Sequence, residues 1–196
     1  MLVIGFGHRA RQGKNTAALA MLNSMPLDTH VIQYAFGDAL RSEVRVACAK
    51  YGGQHALITA WKQSGLMPEW VICENAKPRT LLQWWGTDFR RAKDPEYWVK
   101  RLKTTLDNHN PDVALITDVR FPNELDAIRA WGGVYVEVVN TGDTDIDVHG
   151  HPSEAALDGV RADYWIVAGS RDECEEKAAG LFRQIVRDHA SCLVSQ

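Results

Sequence analysis

The hydrophobic positions of this chain form two kinds of pattern that alternate along its length. Five short runs are almost wholly apolar, as buried strands are: residues 2–6, 30–36, 113–117, 134–139 and 164–168. The stretches between them are rich in helix-forming residues or place apolar residues three or four apart. Helices are therefore predicted over residues 15–22, 79–91 with a break near Gly86, and 122–131. Further helices are predicted from Asp38, Asp94 and Ser170 onward. Because strand and helix alternate, we predict an α/β fold with a five-stranded parallel sheet and helices on both faces.

Start signals for two of the helices are visible in the sequence. Asp94 followed by Pro95 is typical of an N-cap residue and a first helical position, and Ser170 with Glu173 has the spacing of a capping box. Residues 51–78 differ, because glycines, prolines and tryptophans are mixed there without a clear period. We therefore predict one domain over residues 1–196 with an insertion around residues 51–91.

The composition excludes several classes of protein. With 22 basic and 25 acidic residues well mixed, the net charge of −3 provides no large positive field for a nucleic-acid polymer. The 4 cysteines include no C-x-x-C pair and suit free thiols in a reducing compartment. A membrane span needs a run of about 18 apolar residues, and the sequence has none; a signal-peptide pattern is also lacking. We expect neither a nucleic-acid nor a membrane partner, and a cytoplasmic location.

The strongest chemical signal is the segment from His8 to Thr16, which reads His-Arg-Ala-Arg-Gln-Gly-Lys-Asn-Thr and lies between the first strand and the first helix. It matches the phosphate-loop pattern G-x-x-x-x-G-K-[ST] incompletely, since His8 replaces the first glycine and Asn15 follows the lysine. Inward-pointing N–H groups, a helix start and Lys14 would together bind phosphate oxygens. The segment predicts a P-loop NTPase fold; a glycine turn with an exposed lysine is the alternative.

Four further positions carry alternatives that the residues themselves leave open. Asp118 and Arg120 follow a buried strand, at the sheet edge where ligands bind. Arg120 would grip phosphate through two hydrogen bonds, or the two residues would form a structural ion pair. Glu124 would accept from a sugar hydroxyl or a base, or be a first-turn glutamate favoured by the helix dipole. Trp98 would stack on a base, or belong to the apolar stripe of its helix.

Five blocks of the chain, taken together and in this order, resemble the bacteriophage deoxynucleoside monophosphate kinases. The blocks are Gly13-Lys-Asn-Thr16, Leu82-Gln-Trp-Trp-Gly-Thr-Asp88, Tyr97-Trp-Val-Lys100, Asp118-Val-Arg120 with Glu124, and His151-Pro-Ser-Glu154. They span nearly the whole chain except about residues 51–78. The resemblance implies a P-loop kinase with ATP as donor, Mg²⁺ as its metal, deoxynucleoside monophosphates as acceptors and a homodimeric assembly. The insertion would lie on the acceptor side or act as a lid.

Residue by residue, the resemblance divides the site into a donor and an acceptor part. The donor residues would be Arg9, Ala10, Arg11, Gln12, Gly13, Lys14, Asn15 and Thr16. Mg²⁺ would be held by Asn15, where relatives often have aspartate, and by Thr16. Relatives tend to have lysine at the position of Ala10, so Arg9 or Arg11 would supply that contact. The acceptor residues would be Arg41, Trp98, Asp118, Arg120, Glu124 and Ser153, with Lys14, Asp118 and Arg120 as the catalytic residues.

The sequence therefore predicts transfer of the γ-phosphoryl group of ATP to a deoxynucleoside monophosphate, which yields the diphosphate. The acceptor phosphate is already ionised, so positioning and charge neutralisation suffice for catalysis. Two other functions stay open. One is another small-molecule P-loop kinase, for instance of dephospho-coenzyme A. The other is a regulatory protein that binds nucleotides without transferring phosphate, because His8 and Asn15 depart from the motif.

Overall fold

A parallel sheet with the strand order β2-β3-β1-β4-β5 organises the chain. The computed structural model describes residues 1–7, 12–72, 79–142 and 156–194, the last four for the main chain alone. In this part of the chain, all four pairs of neighbouring strands are parallel. The strands are β1 (Leu2–Gly7), β2 (Val31–Tyr34), β3 (Val113–Val119), β4 (Val134–Asn140) and β5 (Tyr164–Ala168). The predicted α/β class with five parallel strands is confirmed.

Seven α-helices accompany the sheet in the described part of the chain. They are α1 (Lys14–Asn23), α2 (Phe36–Lys50), α3 (Gln54–Gln63), α4 (Arg79–Gln83), α5 (Tyr97–His109), α6 (Pro122–Ala130) and α7 (Arg171–Val194). A π-helical segment, Trp84–Arg91, continues directly from α4. None of the described helices has a stretch long and apolar enough to cross a membrane.

The chain divides into two compact units. Met1–Ala35 and Thr104–Gln196 form one, here called the sheet unit, and Phe36–Lys103 forms the other, here called the helical unit. The helical unit contains the whole insertion that the sequence indicates around residues 51–91 and extends beyond it on both sides. Whether residues 1–196 behave as one domain stays a prediction.

The core of the sheet unit follows from the alternation of side chains along β1. Leu2, Ile4 and Phe6 point to the face that α1 and α7 cover, and all three are buried there. Gly5 lies on the opposite face, against the side chain of Ile128 on α6. Helices therefore cover both faces of the central strand, as predicted, and the strand–loop–helix order at β1 and α1 is that of a P-loop NTPase fold.

Aromatic side chains form much of the core of the helical unit. The rings of Trp61 and Trp85 stack with centroids 4.9 Å apart, and those of Trp84 and Phe89 stack at 5.3 Å. The sequence suggests a break in the helix near Gly86. The structure instead has a continuous π-helical segment there. The indole Nε1 of Trp98 on α5 donates to the Gly86 carbonyl oxygen of this segment at 3.1 Å.

Helix starts differ from the predicted positions by a few residues. α2 begins at Phe36, two residues before Asp38, and residues 51–78, which show no period, nevertheless contain α3. Asp94 does cap the chain before α5, because its Oδ1 accepts from the Glu96 N–H at 3.1 Å, but the regular helix starts only at Tyr97. Local signals locate a helix end to within a turn, and packing decides the rest.

Gly133, which joins α6 to β4, should tolerate no side chain. A Cβ there would lie 2.7 Å from the Val3 carbonyl oxygen and 2.8 Å from that of Ile128, and main-chain atoms cannot move aside cheaply. We expect Gly133→Ala to lower the free energy of unfolding by about 1–3 kcal/mol in chemical denaturation. The control is Gly180→Ala in α7, where the nearest atom is the end of the Arg183 side chain at 3.9 Å. That change should stabilise by about 0.5–1 kcal/mol, and equal effects of both changes would contradict this account.

Candidate functional site

The carboxyl ends of the neighbouring strands β1 and β3 bring the start of the predicted phosphate loop and two of the predicted acceptor residues to one edge of the sheet. Gly7, the last residue of β1, is paired with Val119, and Asp118 and Arg120 flank Val119 in sequence. The chain leaves β1 at this edge to enter the loop. His8, Arg9, Ala10 and Arg11 lie outside the described residues. The sheet therefore places both predicted groups where ligands of parallel α/β sheets bind.

The second half of the loop is held tightly at the start of α1. Gly13 has a φ of +93°, a left-handed conformation that disfavours any residue with a Cβ, and its carbonyl oxygen accepts from the Ala17 N–H at 2.9 Å. Lys14 is only 9% exposed, which is rare for lysine. Asn15 is exposed and Thr16 half-buried in the same turn. The alternative of an exposed lysine on a glycine turn does not describe Lys14.

A side chain also ties the loop to β4, on the other side of β1. Gln12 is 8% exposed, and its Oε1 accepts a hydrogen bond from the main-chain N–H of Asn140 at 2.7 Å. Asn140 in turn accepts from the Gly142 N–H through its own Oδ1 at 3.0 Å, which turns the chain just after β4. This cross-link connects Gln12, near the end of the loop, to β4 and was not found from the sequence. No local sequence signal could have indicated it, because the two residues are 128 positions apart.

A cavity of about 360 Å³ opens beside the loop, within the sheet unit. The loop and α1 form one wall, and the ends of β4 and β5 with the start of α7 form the others. The lining residues are Gln12, Gly13, Thr16, Asn140, Gly142, Ala168, Gly169, Ser170, Arg171 and Cys174. Its volume is in the range of small-molecule sites.

The start of α7 forms the far wall of this cavity through the predicted capping box. The Glu173 N–H donates to Ser170 Oγ at 3.2 Å, and Glu173 Oε2 accepts from the Gly169 N–H at 2.8 Å. A hydrogen bond from Lys177 and then the one from Gly169 lower the pKa of Glu173, so this cap stays ionised. Burial raises the pKa of the Cys174 thiol, which therefore lines the cavity as a neutral group.

Glu124 bonds the main chain at the start of α6, which agrees with the first-turn glutamate that the sequence leaves as one alternative. It is 2% exposed, and its Oε2 accepts from the main-chain N–H groups of Arg120 at 2.8 Å and Phe121 at 3.1 Å. The carboxylate thus closes the start of α6 and holds the main chain of Arg120. Asp118 and Arg120 are both half-buried at this strand end.

Two predicted acceptor residues belong to the helical unit. Arg41 on α2 is exposed and pairs with Asp38 at 2.5 Å, one turn earlier on the same helix. Trp98 is 3% exposed, and its ring packs edge-on against Tyr97 with centroids 4.8 Å apart. This burial agrees with the apolar stripe that the spacing indicates, and the role of Trp98 in stacking on a base stays a prediction. Ser153 lies outside the described residues.

Protein side chains alone do not form a metal cage in the described part of the chain. No group of three or more His, Cys, Asp or Glu residues is close enough there to hold an ion. The assignment of Asn15 and Thr16 as ligands of a metal that arrives with a phosphate group stays a prediction. Mg²⁺ usually keeps several waters and binds through few protein ligands together with substrate phosphates.

A parallel α/β sheet with a glycine-containing loop and a cavity at the start of its first helix is typical of nucleotide-binding proteins. Residues 63–177, more than half of the chain, match the family model of deoxynucleotide monophosphate kinases. The chain belongs to this family, and the resemblance derived from its sequence blocks is confirmed. The matched residues include Trp98, Asp118, Arg120 and Glu124 but not the loop that contains Lys14.

Individual relatives agree with the family model. A deoxynucleoside-5′-monophosphate kinase of Escherichia phage T5 is 33% identical over 114 residues, which are 55% of this chain and 44% of the phage protein. A putative deoxynucleotide monophosphate kinase of Acanthamoeba polyphaga mimivirus is 27% identical over 191 residues, 90% of this chain and 92% of that protein. An unliganded sugar kinase from Janibacter sp. HTCC2649 superposes with a TM-score of 0.48 at 14% identity, over 96% of this chain and 97% of that one. The match thus spans less than half of the phage protein and nearly all of the mimivirus protein.

Glu124 should matter for the local structure at Arg120 before any ligand binds. Its carboxylate accepts two main-chain N–H groups at a helix start, so Glu124→Ala should destabilise the fold by about 0.5–2 kcal/mol. Hydrogen exchange at the Arg120 and Phe121 amides should become faster. Asp126→Ala is the control, since Asp126 is exposed on the same helix and should change stability by less than about 0.5 kcal/mol. If the amides of Arg120 and Phe121 exchange at the same rate in both variants, the Glu124 carboxylate is not what holds the main chain of Arg120.

Proposed function

We propose that this chain transfers the γ-phosphoryl group of ATP to a deoxynucleoside monophosphate. The observation that carries the proposal is the sheet edge itself. There the end of the loop, next to Lys14, lies between a cavity of about 360 Å³ on its β4 side and the Asp118–Arg120 segment on its β3 side. Family membership supports the same reaction. We also propose a homodimer, which rests on the resemblance alone, and a cytoplasmic location, which rests on the composition of the sequence.

The donor nucleotide would occupy the loop and the cavity. Its phosphates would meet the main-chain N–H groups at the start of α1, where the helix dipole favours negative charge, and the ammonium group of Lys14, a residue that is nearly buried. Its base and sugar would extend into the cavity between Asn140–Gly142 and Gly169–Arg171. Arg9, Ala10 and Arg11 complete the loop in this proposal. The hydrogen bond between Gln12 and Asn140 would keep the end of the loop in a fixed position beside the cavity.

Mg²⁺ would enter with ATP, held by Asn15 and Thr16, and when bound it would neutralise charge on the phosphate oxygens. Both residues lie in the first turn of α1, and Thr16 lines the cavity. An amide at position 15 binds a cation more weakly than a carboxylate would. Lys14 therefore carries a large part of the charge neutralisation that the chain itself provides.

The acceptor would bind on the β3 side. Arg120 is proposed to grip phosphate through its planar guanidinium group, and Asp118 to orient the groups around it. Glu124 would act through Arg120, whose main chain it holds, rather than through a sugar hydroxyl. Arg41, Trp98 and Ser153 stay proposed acceptor contacts.

The reaction needs no general base in this scheme. The attacking atom is a phosphate oxygen that is ionised near neutral pH, so the chain has to align donor and acceptor and neutralise the charge between them. The hydrogen bond between Gln12 and Asn140 suits that task, because it holds this end of the loop in place before the substrates arrive.

Lys14→Ala should abolish turnover while leaving the fold intact. We expect a loss of at least ~100-fold in kcat, measured as ADP release in a coupled assay with the four common deoxynucleoside monophosphates. Lys50→Ala, at the exposed end of α2, should leave kcat unchanged. A wild-type chain that releases ADP with dephospho-coenzyme A but with none of the monophosphates would point to the other kinase reading. Near-normal turnover of Lys14→Ala would contradict the phosphate-loop assignment.

Arg120→Lys should not be a mild change. Lysine keeps the positive charge but loses the planar fork, so we expect turnover to fall at least ~10-fold, or about 1.4 kcal/mol of barrier. Arg129→Lys is the matched control, because Arg129 only bonds the Arg161 carbonyl oxygen at 2.7 Å and pairs with Asp163 at 3.6 Å. That variant should keep normal kinetics. If Arg120→Lys instead lowers the melting temperature with unchanged kinetics, Arg120 belongs to a structural ion pair.

A further inference from the structure

Glu43 on α2 collects hydrogen bonds from three side chains of the helical unit. Its Oε1 accepts from Trp85 Nε1 at 2.8 Å and from Arg90 Nε at 2.5 Å, and its Oε2 accepts from the Tyr97 hydroxyl at 2.7 Å. The Nη2 atom of Arg90 also lies 2.5 Å from Oε1. One carboxylate thus connects α2, the π-helical segment and α5.

These contacts leave Arg90 little freedom to move. Its guanidinium carbon lies 5.0 Å from the ring centroid of Phe89 and 4.8 Å from that of Tyr97, in addition to the clamp by Glu43. The side chain is nevertheless 30% exposed. Nε and Nη2 face Glu43, whereas Nη1 makes no hydrogen bond or ion pair with the described residues. Glu43 therefore fixes one edge of the guanidinium group, and the described residues do not occupy the other.

Stability alone is a weak reason for this arrangement. A partly buried ion pair often stabilises a fold no better than packed apolar residues, and the unit already has an apolar core around Leu57, Leu81 and Trp84. Burial by itself raises the pKa of Glu43, but hydrogen bonds from Tyr97, Trp85 and Arg90 outweigh it and keep the pKa below its ordinary value. Glu43 is therefore ionised at neutral pH and keeps its hold on Arg90. The π-helical geometry from Trp84 to Arg91 is likewise a feature found frequently at functional sites.

We propose that Arg90 binds the phosphate group of the acceptor nucleotide and that Glu43 is the residue that positions it. The proposal rests on the function proposed above. A phosphate monoester offers two oxygens to the open edge of the guanidinium group, and an arginine held in one rotamer loses little conformational entropy when it binds. A lysine at position 90 has only one side-chain nitrogen, so it could not bond Glu43 through two nitrogens as Arg90 does. It also has no planar edge that could face the phosphate group.

The first experiment measures steady-state kinetics of Arg90→Lys with the deoxynucleoside monophosphate and ATP varied separately. We expect KM for the monophosphate to rise at least ~10-fold while KM for ATP stays within about two-fold. Arg45→Lys is the control, because Arg45 is exposed on α2, two residues from Glu43, and should change neither constant. Unchanged kinetics of Arg90→Lys together with a lower melting temperature would overturn the proposal, and so would equal rises in both KM values.

The role of Glu43 is tested by a double-mutant cycle. Glu43→Gln removes the charge that holds Arg90 and should raise KM for the monophosphate several-fold; combined with Arg90→Lys it should add little, because Glu43 acts through Arg90. Tyr97→Phe loses only the hydroxyl that bonds Glu43 and should shift KM in the same direction, which covers the case that Glu43→Gln does not fold. Additive effects of the two changes would show that Glu43 acts independently of Arg90.

Calorimetric titration with each monophosphate, without ATP, separates this inference from the proposed function. A wild-type chain that binds a monophosphate but never phosphorylates it would contradict the proposed function only. In that case, weaker binding by Arg90→Lys but not by Arg45→Lys would still support the phosphate contact. If the wild-type chain binds none of the monophosphates, or if Arg90→Lys binds as tightly as the wild type, the inference is wrong.

Discussion

The position of β1 between β3 and β4 is the constraint on which the candidate site depends. Gly7 at the end of β1 is paired with Val119 on one side and Glu137 on the other. A loop that leaves the central strand therefore has the Asp118–Arg120 segment on one flank and the end of β4 on the other. Parallel pairing brings these three chain segments together although more than a hundred residues separate the first from the second.

Polar side chains that accept main-chain N–H groups fix this edge. Gln12 accepts from Asn140, Glu124 from Arg120 and Phe121, and Glu173 from Gly169. Each bond satisfies a main-chain donor at the last residue of a strand or just after it. The chain segments around the cavity and at Arg120 are thus held by the protein itself, which favours binding without large rearrangement.

Local patterns in the sequence were sufficient for the strands, most helices and the place of the loop. Apolar runs of strand length, Gly13-Lys14 after the first of them and Ser170 with Glu173 are all signals contained within a few residues. The bond from Asn140 to Gln12 and the gathering of Trp85, Arg90 and Tyr97 around Glu43 could not be found in this way. They join residues 128, 42, 47 and 54 positions apart, and no short-range pattern specifies which polar residues will meet.

The distribution of tryptophan gives the two units different optical signatures. Of the 7 tryptophans, those at positions 61, 70, 84, 85 and 98 lie in the helical unit, and only Trp131 and Trp165 lie in the sheet unit. Stacked indoles such as Trp61 and Trp85, at 4.9 Å and 17°, couple their electronic transitions and give strong near-ultraviolet circular dichroism. The near-ultraviolet spectrum and the intrinsic fluorescence of this chain are therefore dominated by the packing of the helical unit. The far-ultraviolet spectrum, in contrast, records the helices and strands of both units, so a difference between the two signals during denaturation would distinguish loss of one unit from loss of the whole fold.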